Sequence, residues 1–523
     1  MRKEEEIQSE ITQFLEELQV NDIKYDGWPI WWFFKWRFIA DRLSSPLPSH
    51  KEIADSILNG KINLKRKLKD KATIFALRKF LKYNEKIKIL VSGFKKQRTL
   101  SRTKKKRIMF MAHTNGIIPD KDHGFTVDRI GTVVNEVRKD PELEDYISVI
   151  DPLSHKSWLK LLNYENLVYS YVDNEIKRKA KKEALILHKK WKKISNQLKP
   201  KPILEQFRPA LEVFFSKEVI YLIILYYETY KKIINHEKID LTCFYAGSDV
   251  LSKCAIAASH NSKIKSMHIS HGLGVPPKNP EQPNSAYYAV VGSKYRELLI
   301  RLGINSKNIY IIGPVFMDDI IPHIKKKYPD HKTKKILLAT TPWLEDNAGD
   351  KELYVNYISK FLRETNRLNN VKIILKLHPR EKTADLYQPI IDSHGYKGVK
   401  IVRSQGRDQL KSRLYDLINE SDIVMSFGST VSVEAMIIGR PSLIIDLMSG
   451  MFGDDPILTD RKRVLHVDPQ EDLSKIISKL LFNPEMQKTI INNQNDIVHE
   501  YLYKVDGKAG ERVLNIMKQL TGG

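Results

Sequence analysis

The sequence predicts an α/β protein of two doubly wound domains facing each other across a cleft, with a helical extension before the first domain and a helical insertion inside it. Three observations support this. From about Arg107, short β-branched runs alternate with helical stretches, as in parallel sheets covered on both faces. The alternation pauses at a polar stretch, His323 to Lys335, and then restarts with six further strand-like runs. The 523 residues, 42% apolar, are enough for two or three cored domains. Each half therefore reads as Rossmann-like.

Residues 1–104 read as helical and basic, with apolar positions three and four apart. Between Lys61 and Arg107 there are 19 Lys or Arg against two acids, Asp70 and Glu85, so this stretch alone carries +17 of the net +24. Phe75, Phe80, Tyr83 and Phe94 interleave with the charges, as on a nucleic-acid surface. No RNA-binding or zinc signature accompanies them. An anionic membrane surface is the expected partner of residues 61–107, and nucleic acid is not.

The N-terminal "MRKEEEIQSEITQF" lacks the apolar core of a signal peptide. The longest apolar run, Val219 to Tyr227, is about half of what spans a bilayer. Two cysteines, Cys243 and Cys254, without a CxxC or Cys/His cluster, point to a reducing compartment and to no metal site. The expectation is a cytoplasmic protein, peripheral on the inner face of the cell membrane. Trp28, Trp31, Trp32 and Trp36 suit either a lipid interface or packing of a helical subdomain, and packing is expected.

The first domain is expected over 105–320. Its strands lie in "RIMFMAHTNG", "ISVID", "LTCFYAG" and "IKSMHISHG", with two more at Tyr288 to Val291 and Tyr310 to Ile312. A helical insertion, about 157–237, interrupts them and carries the basic run "KRKAKKEALILHKKWKK". Strand ends are where open α/β sheets bind ligands. His113 in "AHTNG" is thus a candidate for the acceptor side, and so is the carboxylate of Asp249. In "SMHISHGLGVPP", His271 beside Gly272 should face the cleft, whereas His268 should be structural, since alternate strand positions point to opposite faces.

The second domain is expected over 333–500, followed by a C-terminal helix at 501–523. "ILKLHPRE" carries a strand into His378-Pro379, which sets His378 at the strand's carboxyl end between Lys376 and Arg380. Once protonated, that imidazole could hold a phosphate or protonate a leaving group. "SDIVMSFGSTVSVEAMIIGRPSLIID" ends a strand in Ser426, Gly428, Ser429 and Thr430 and runs straight into a helix. Small residues let an anion reach the orphan N–H groups of a helix N-terminus; Ser429 or Thr430 could equally just cap that helix. Glu434, on the second turn, is placed to accept both hydroxyls of a ribose, or else only to complement the helix dipole.

A strand-terminal His-Gly, Lys-x-His-Pro, and Ser-Thr followed by Glu together resemble the surface-polysaccharide glycosyltransferases of the GT-B fold, among them polysialyltransferases and CDP-glycerol glycerophosphotransferases. "GSTVSVEAMIIGRPSLI" is also similar to the nucleotide-binding helix of UDP-N-acetylglucosamine 2-epimerases. The resemblance spans roughly Arg107 to Glu500. It implies that His378, Ser429 and Thr430 contact a donor diphosphate, that Glu434 binds ribose, and that His271 activates an acceptor hydroxyl. "SHGLGVPP" departs from the glycerophosphotransferases, which carry an aromatic residue before His-Gly, and the long helical additions depart from the epimerases.

The expected function is a metal-independent glycosyltransferase. It would move a sugar, or a sugar-like phosphate unit, from a nucleotide-activated donor to a surface-glycan or lipid-linked acceptor, with no cofactor besides that substrate. Nucleotide-sugar 2-epimerisation is the alternative enzymatic reading, and nucleic-acid binding through the basic segment is the alternative of another class.

Overall fold

The computed structural model describes residues 20–34, 104–112, 116–120, 124–149, 167–197, 208, 211–245, 249–273, 285–324, 332–343, 351–381, 383–393, 395–396, 398–403, 410–447 and 457–522. The basic segment 61–103, Trp36, His113 and the stretch 325–331 lie outside the described residues. Those that are described build two six-stranded sheets, every strand parallel to its neighbours.

The first sheet is formed by β1 (Lys106–Ala112), β4 (Leu143–Val149), β5 (Ile239–Phe244), β6 (Lys265–Ile269), β7 (Tyr287–Val290) and β8 (Ile309–Ile311), in spatial order β8-β7-β6-β5-β1-β4. β2 (Ile117–Asp120) and β3 (Gly124–Val127) form a separate antiparallel hairpin that the sequence pattern did not suggest. β1 pairs without a break with β4, from Lys106↔Leu143 to Ala112↔Val149. Its side chains enter two different cores: Met109 and Met111 go to one face, Ile108, Phe110 and Ala112 to the other. A strand buried on both faces reads as a continuous apolar run for this reason.

α1 (Gly131–Lys139) covers one face of this sheet. On the other face, α2 (Asn174–Gln197) packs on α3 (Lys217–His236), which packs on α4 (Val250–Asn261). α3 is buried almost all round from Val219 to Tyr230, which explains the long apolar run: it is a core helix. Among the described residues no helix is long and apolar enough to cross a membrane. Residues 20–34 dock on the same helices. Trp31, Phe33 and Phe34 are in the core, and Trp28 and Trp32 pack partly against it. Tyr25 donates to Glu228 of α3 at 2.5 Å. The described tryptophans of this segment are therefore packing residues.

After α5 (Ser293–Arg301), a 3₁₀ segment Val315–His323 leads to the second sheet. It consists of β9 (Lys334–Ala339), β10 (Val371–Lys376), β11 (Val399–Val402), β12 (Ile423–Ser426), β13 (Ser442–Ile445) and β14 (Leu465–Val467), in order β11-β10-β9-β12-β13-β14. The helices α6 (Lys351–Thr365), α7 (Gln388–Ser393), α8 (Leu410–Glu420) and α9 (Thr430–Ile438) follow β9 to β12 in turn, and α10 (Leu473–Phe482) and α11 (Pro484–Tyr501) both follow β14. All six strand runs expected here are present.

Both sheets reverse their winding at an internal pair of strands, β1/β5 in the first and β9/β12 in the second. Such topological switch points open a crevice at the carboxyl ends of the strands. The chain then returns. α11 packs on both α9 and α5, and α12 (Ala509–Thr521) packs on α1 and β5 of the first sheet. One apolar cluster serves both lobes, joining Tyr288, Val290 and Phe316 to Leu337, Val424 and Ile497. Together the two lobes make the GT-B arrangement.

The return brings backbones together at Gly292, where a Cβ would lie 1.8 Å from the Tyr501 carbonyl oxygen. Gly292→Ala should therefore force this crossing apart and destabilise the protein by about 1–3 kcal/mol, the usual cost of overpacking. Denaturant melts would show it, and a wild-type midpoint would mean that the crossing does not hold the lobes together.

Candidate functional site

At the switch point of the second sheet, β12 ends in Ser426 and α9 begins four residues later. Ser426 is fully buried, its hydroxyl exchanging a hydrogen bond with Ser432 at 2.7 Å and accepting one from the Ser429 amide at 3.2 Å. Its hydroxyl thereby shapes the turn. Gly428 takes the left-handed backbone, φ +71°, that the turn requires. Ser429 caps α9 by accepting from the Val431 amide. Thr430 stands at the first turn, half-buried, its hydroxyl without a partner among the described residues. What reaches the crevice is thus the helix N-terminus itself, with the Gly428 backbone and Thr430.

Glu434 lies one turn deeper and is buried. It is close enough to Lys376 and Tyr415 for its charge to act on both. Lys376 is also buried, and its Nζ donates to the Leu377 carbonyl at 2.7 Å. Burial lowers its pKa to about 8, while Glu381 and Glu434 pull the other way. Lys376 thus supplies charge from beneath the site.

His378 is half-buried at the end of β10, its Nδ1 accepting from the Arg380 amide at 3.2 Å, which leaves Nε2 to carry the proton. Burial first, then the cations Arg380, Lys376 and Arg129, hold its pKa down at about 4. At neutral pH it is a neutral hydrogen-bond donor. Burial, and after it the three neighbouring cations, thus disfavour a protonated imidazole here. Arg380 itself is exposed.

Two residues missed by sequence reasoning complete this side. Glu381 accepts from the His378 amide at 2.6 Å and from the hydroxyls of Thr340 and Tyr387, fixing the loop that presents His378. Its position three residues after the histidine was a readable turn signal. Arg129 comes from the first lobe, between β3 and α1, with a left-handed φ of +72°. Its charge acts on both His378 and Tyr415 of the second lobe. Nothing in the local sequence marks a contact across lobes.

On the first lobe, His271 is exposed and its ring meets that of Tyr245 edge-on at 5.3 Å. His268 is half-buried in β6, and burial together with His271 lowers its pKa to about 4. Gly116 leaves room for the Tyr245 hydroxyl, which a Cβ there would strike at 2.1 Å. Gly272 is half-buried beside His271. Asp249 is the N-cap of α4, its carboxylate accepting from the Ser252 amide and hydroxyl at 2.9 and 2.5 Å. That bonding makes it a capping residue. Among the described residues no cluster of three or more His, Cys, Asp or Glu is arranged to hold a metal.

A family model described as UDP-N-acetylglucosamine 2-epimerase matches residues 216–518. A curated protein from Clostridium acetobutylicum assigned as such an epimerase is 23% identical over 233 residues, 41% of this chain. The chain spans 58% of that relative's length. The crystal structure of UDP-GlcNAc 2-epimerase from Neisseria meningitidis bound to UDP-GlcNAc is similar at 13% identity with a TM-score of 0.50, over 79% of this chain and all of that one. A Listeria monocytogenes structure assigned to the same enzyme gives 14% identity and a TM-score of 0.49, over 79% of this chain and 96% of that one.

The depressed histidines set a pH dependence. Below about pH 6.5 the unfolded chain takes up protons that His378 and His268 in the folded state refuse until about pH 4, so stability falls as pH drops through that window. His378→Gln should flatten the fall by up to about 1.4 kcal/mol per pH unit. Urea titrations at several pH values would measure it, and an unchanged slope would mean that His378 titrates normally.

Proposed function

Because the family model covers more than half of it, the chain belongs to the UDP-N-acetylglucosamine 2-epimerase family, and from that premise we propose that it inverts C2 of a UDP-linked N-acetylhexosamine. What supports this reading is the set of donors and cations at the switch point. His378, its proton on Nε2, is acted on by Lys376 and by Arg129 from the opposite lobe, and the α9 N-terminus stands at the end of β12, with β9 between it and β10. A diphosphate between the lobes would meet donors from both. Glu434, one turn below, would take the ribose hydroxyls.

The chemistry needs that frame. A sugar C2–H is not acidified by a carbonyl, so inversion at C2 is easiest if the diphosphate first leaves C1 as the C2 proton is removed. The resulting C1=C2 glycal takes the proton back on its other face as the diphosphate returns to C1. Positive charge fixed around the leaving group lowers the cost of its departure. His271, exposed on the opposite rim, is the proposed base. No cofactor is called for beyond the nucleotide sugar.

Sugar transfer to a surface-glycan or lipid-linked acceptor is the second reading, and it uses the same leaving-group frame. It is favoured by the helical layer that α2, α3 and residues 20–34 add to the first lobe, for which a small-molecule isomerase has little use. On this reading His271 would activate the acceptor hydroxyl, and residues 61–107 would bring the enzyme to an anionic membrane surface.

Incubation with UDP-GlcNAc, followed by NMR, separates the two. The C2 epimer should form without an acceptor; UDP release that requires a glycan acceptor would replace epimerisation by transfer. Glu434→Ala should weaken UDP binding by about 1.5–3 kcal/mol, as expected for charge-assisted bonds. His271→Ala should slow turnover by about 10²–10⁴-fold with UDP affinity unchanged. Normal turnover in folded His271→Ala would remove it as the base.

A further inference from the structure

We propose that the outward face of α2 is a docking surface for an anionic lipid bilayer. The inference does not depend on which reaction the cleft performs, and it names a surface separate from residues 61–107.

α2 is 24 residues, about 36 Å of helix. Ile176, Ala180, Ala184, Leu187, Trp191 and Ser195 are its buried residues, and it packs on α3, so it cannot roll to hide its other side. The opposite line runs through Arg178, Lys182, Leu185, Lys189 and Lys193, all exposed. Along the whole helix eight exposed bases stand against one exposed acid, Glu175. Lys179 and Lys192 are paired, with Glu228 and Glu212. The bases on the central line have no ion-pair partner among the described residues.

Charge alone would suit any polyanion. Two apolar side chains decide between them: Leu185 and Ile186, at 48% and 41% exposure, sit in the middle of the basic face. A hydrated polyanion offers them nothing. A bilayer offers both partners at once, because lysine stems can lie along the interface with their ammonium groups at lipid phosphates while Leu185 and Ile186 enter the headgroup boundary. Basic residues near an anionic leaflet each strengthen attachment, and the attraction is screened by salt.

The test is co-sedimentation of the full chain with vesicles of phosphatidylcholine, alone or mixed with phosphatidylglycerol. Binding should require phosphatidylglycerol. Lys182→Glu/Lys189→Glu/Lys193→Glu should reduce it by about tenfold or more. Leu185→Ser/Ile186→Ser should reduce it several-fold and leave the remainder fully salt-sensitive. These side chains are exposed, so thermal melts should match wild type and folding does not confound the result. Wild-type binding by the charge-reversed protein would overturn the proposal and leave attachment to another part of the chain. Unchanged binding by the serine variant, with soluble polyphosphate displacing both proteins equally, would overturn it in favour of a polyanion site. Nucleotide-sugar turnover without vesicles reports on the cleft alone, so either reading can fail without the other.

Discussion

The carboxylate of Asp318 is the joint on which the two-lobed shape depends. It accepts from the amides of Ala509 and Gly510 at 3.1 and 2.8 Å, pinning the start of α12 to the 3₁₀ segment between the lobes. Burial raises its pKa, and those amides and Arg512 work against that rise. Asp318 is half-buried, and a carboxylate drawn out of water needs such partners. The same segment touches α1 and α12 on one side and α8 and α9 on the other. Tyr415 donates to the neighbouring Asp319 at 3.1 Å, and Asn419 to the His323 carbonyl at 2.7 Å. The lobes are thereby held at the base of the cleft, and their strand ends remain apart above it.

That joint gives the crevice its electrostatic character. Arg129 belongs to one lobe, His378 and Lys376 to the other, and both cations act on the His378 imidazole because the lobes are fixed this way. Concentrated positive charge in a half-buried place is costly. The half-buried carboxylate of Glu381 and the buried one of Glu434 offset part of that cost at Lys376, and an incoming diphosphate would offset more. Burial first, then the cations Arg380, Lys376 and Arg129, depress the pKa of His378, whereas at Lys376 burial acts alone and against Glu381 and Glu434. A frame so charged is preorganised for an anion, which reduces the reorganisation needed when charge develops on a leaving group.

Much of the architecture could be read from the sequence because it is local. Strands buried on both faces are apolar runs, and each expected run in the second half became a strand. The α9 cap at Ser429 and the inward place of Glu434 followed from spacing along one helix. What escaped was relational. The hairpin of β2 and β3 has too little alternation to stand out, and the left-handed backbone of Arg129 is invisible in a non-glycine residue. That the Ser426 hydroxyl pairs with Ser432 shows only once the turn is in place. The depressed pKa of His378 was equally hidden, since burial is its main cause and one of the contributing cations comes from 249 residues earlier in the chain.

Departure of a diphosphate from a sugar C1 is common to epimerisation and to transfer, so the second lobe alone cannot distinguish them. The distinction must lie in what the first lobe places opposite the sugar. There Asp249 is committed to capping α4, and His268 is held neutral within β6. His271 is exposed, its ring edge-on to that of Tyr245, and is the base proposed above. One base suffices to activate an acceptor hydroxyl, whereas inversion at C2 must take a proton from one face and return it on the other. A second proton carrier, across the sugar from the first, is therefore needed for epimerisation and not for transfer. The identity of that carrier decides which of the two reactions a common leaving-group frame serves.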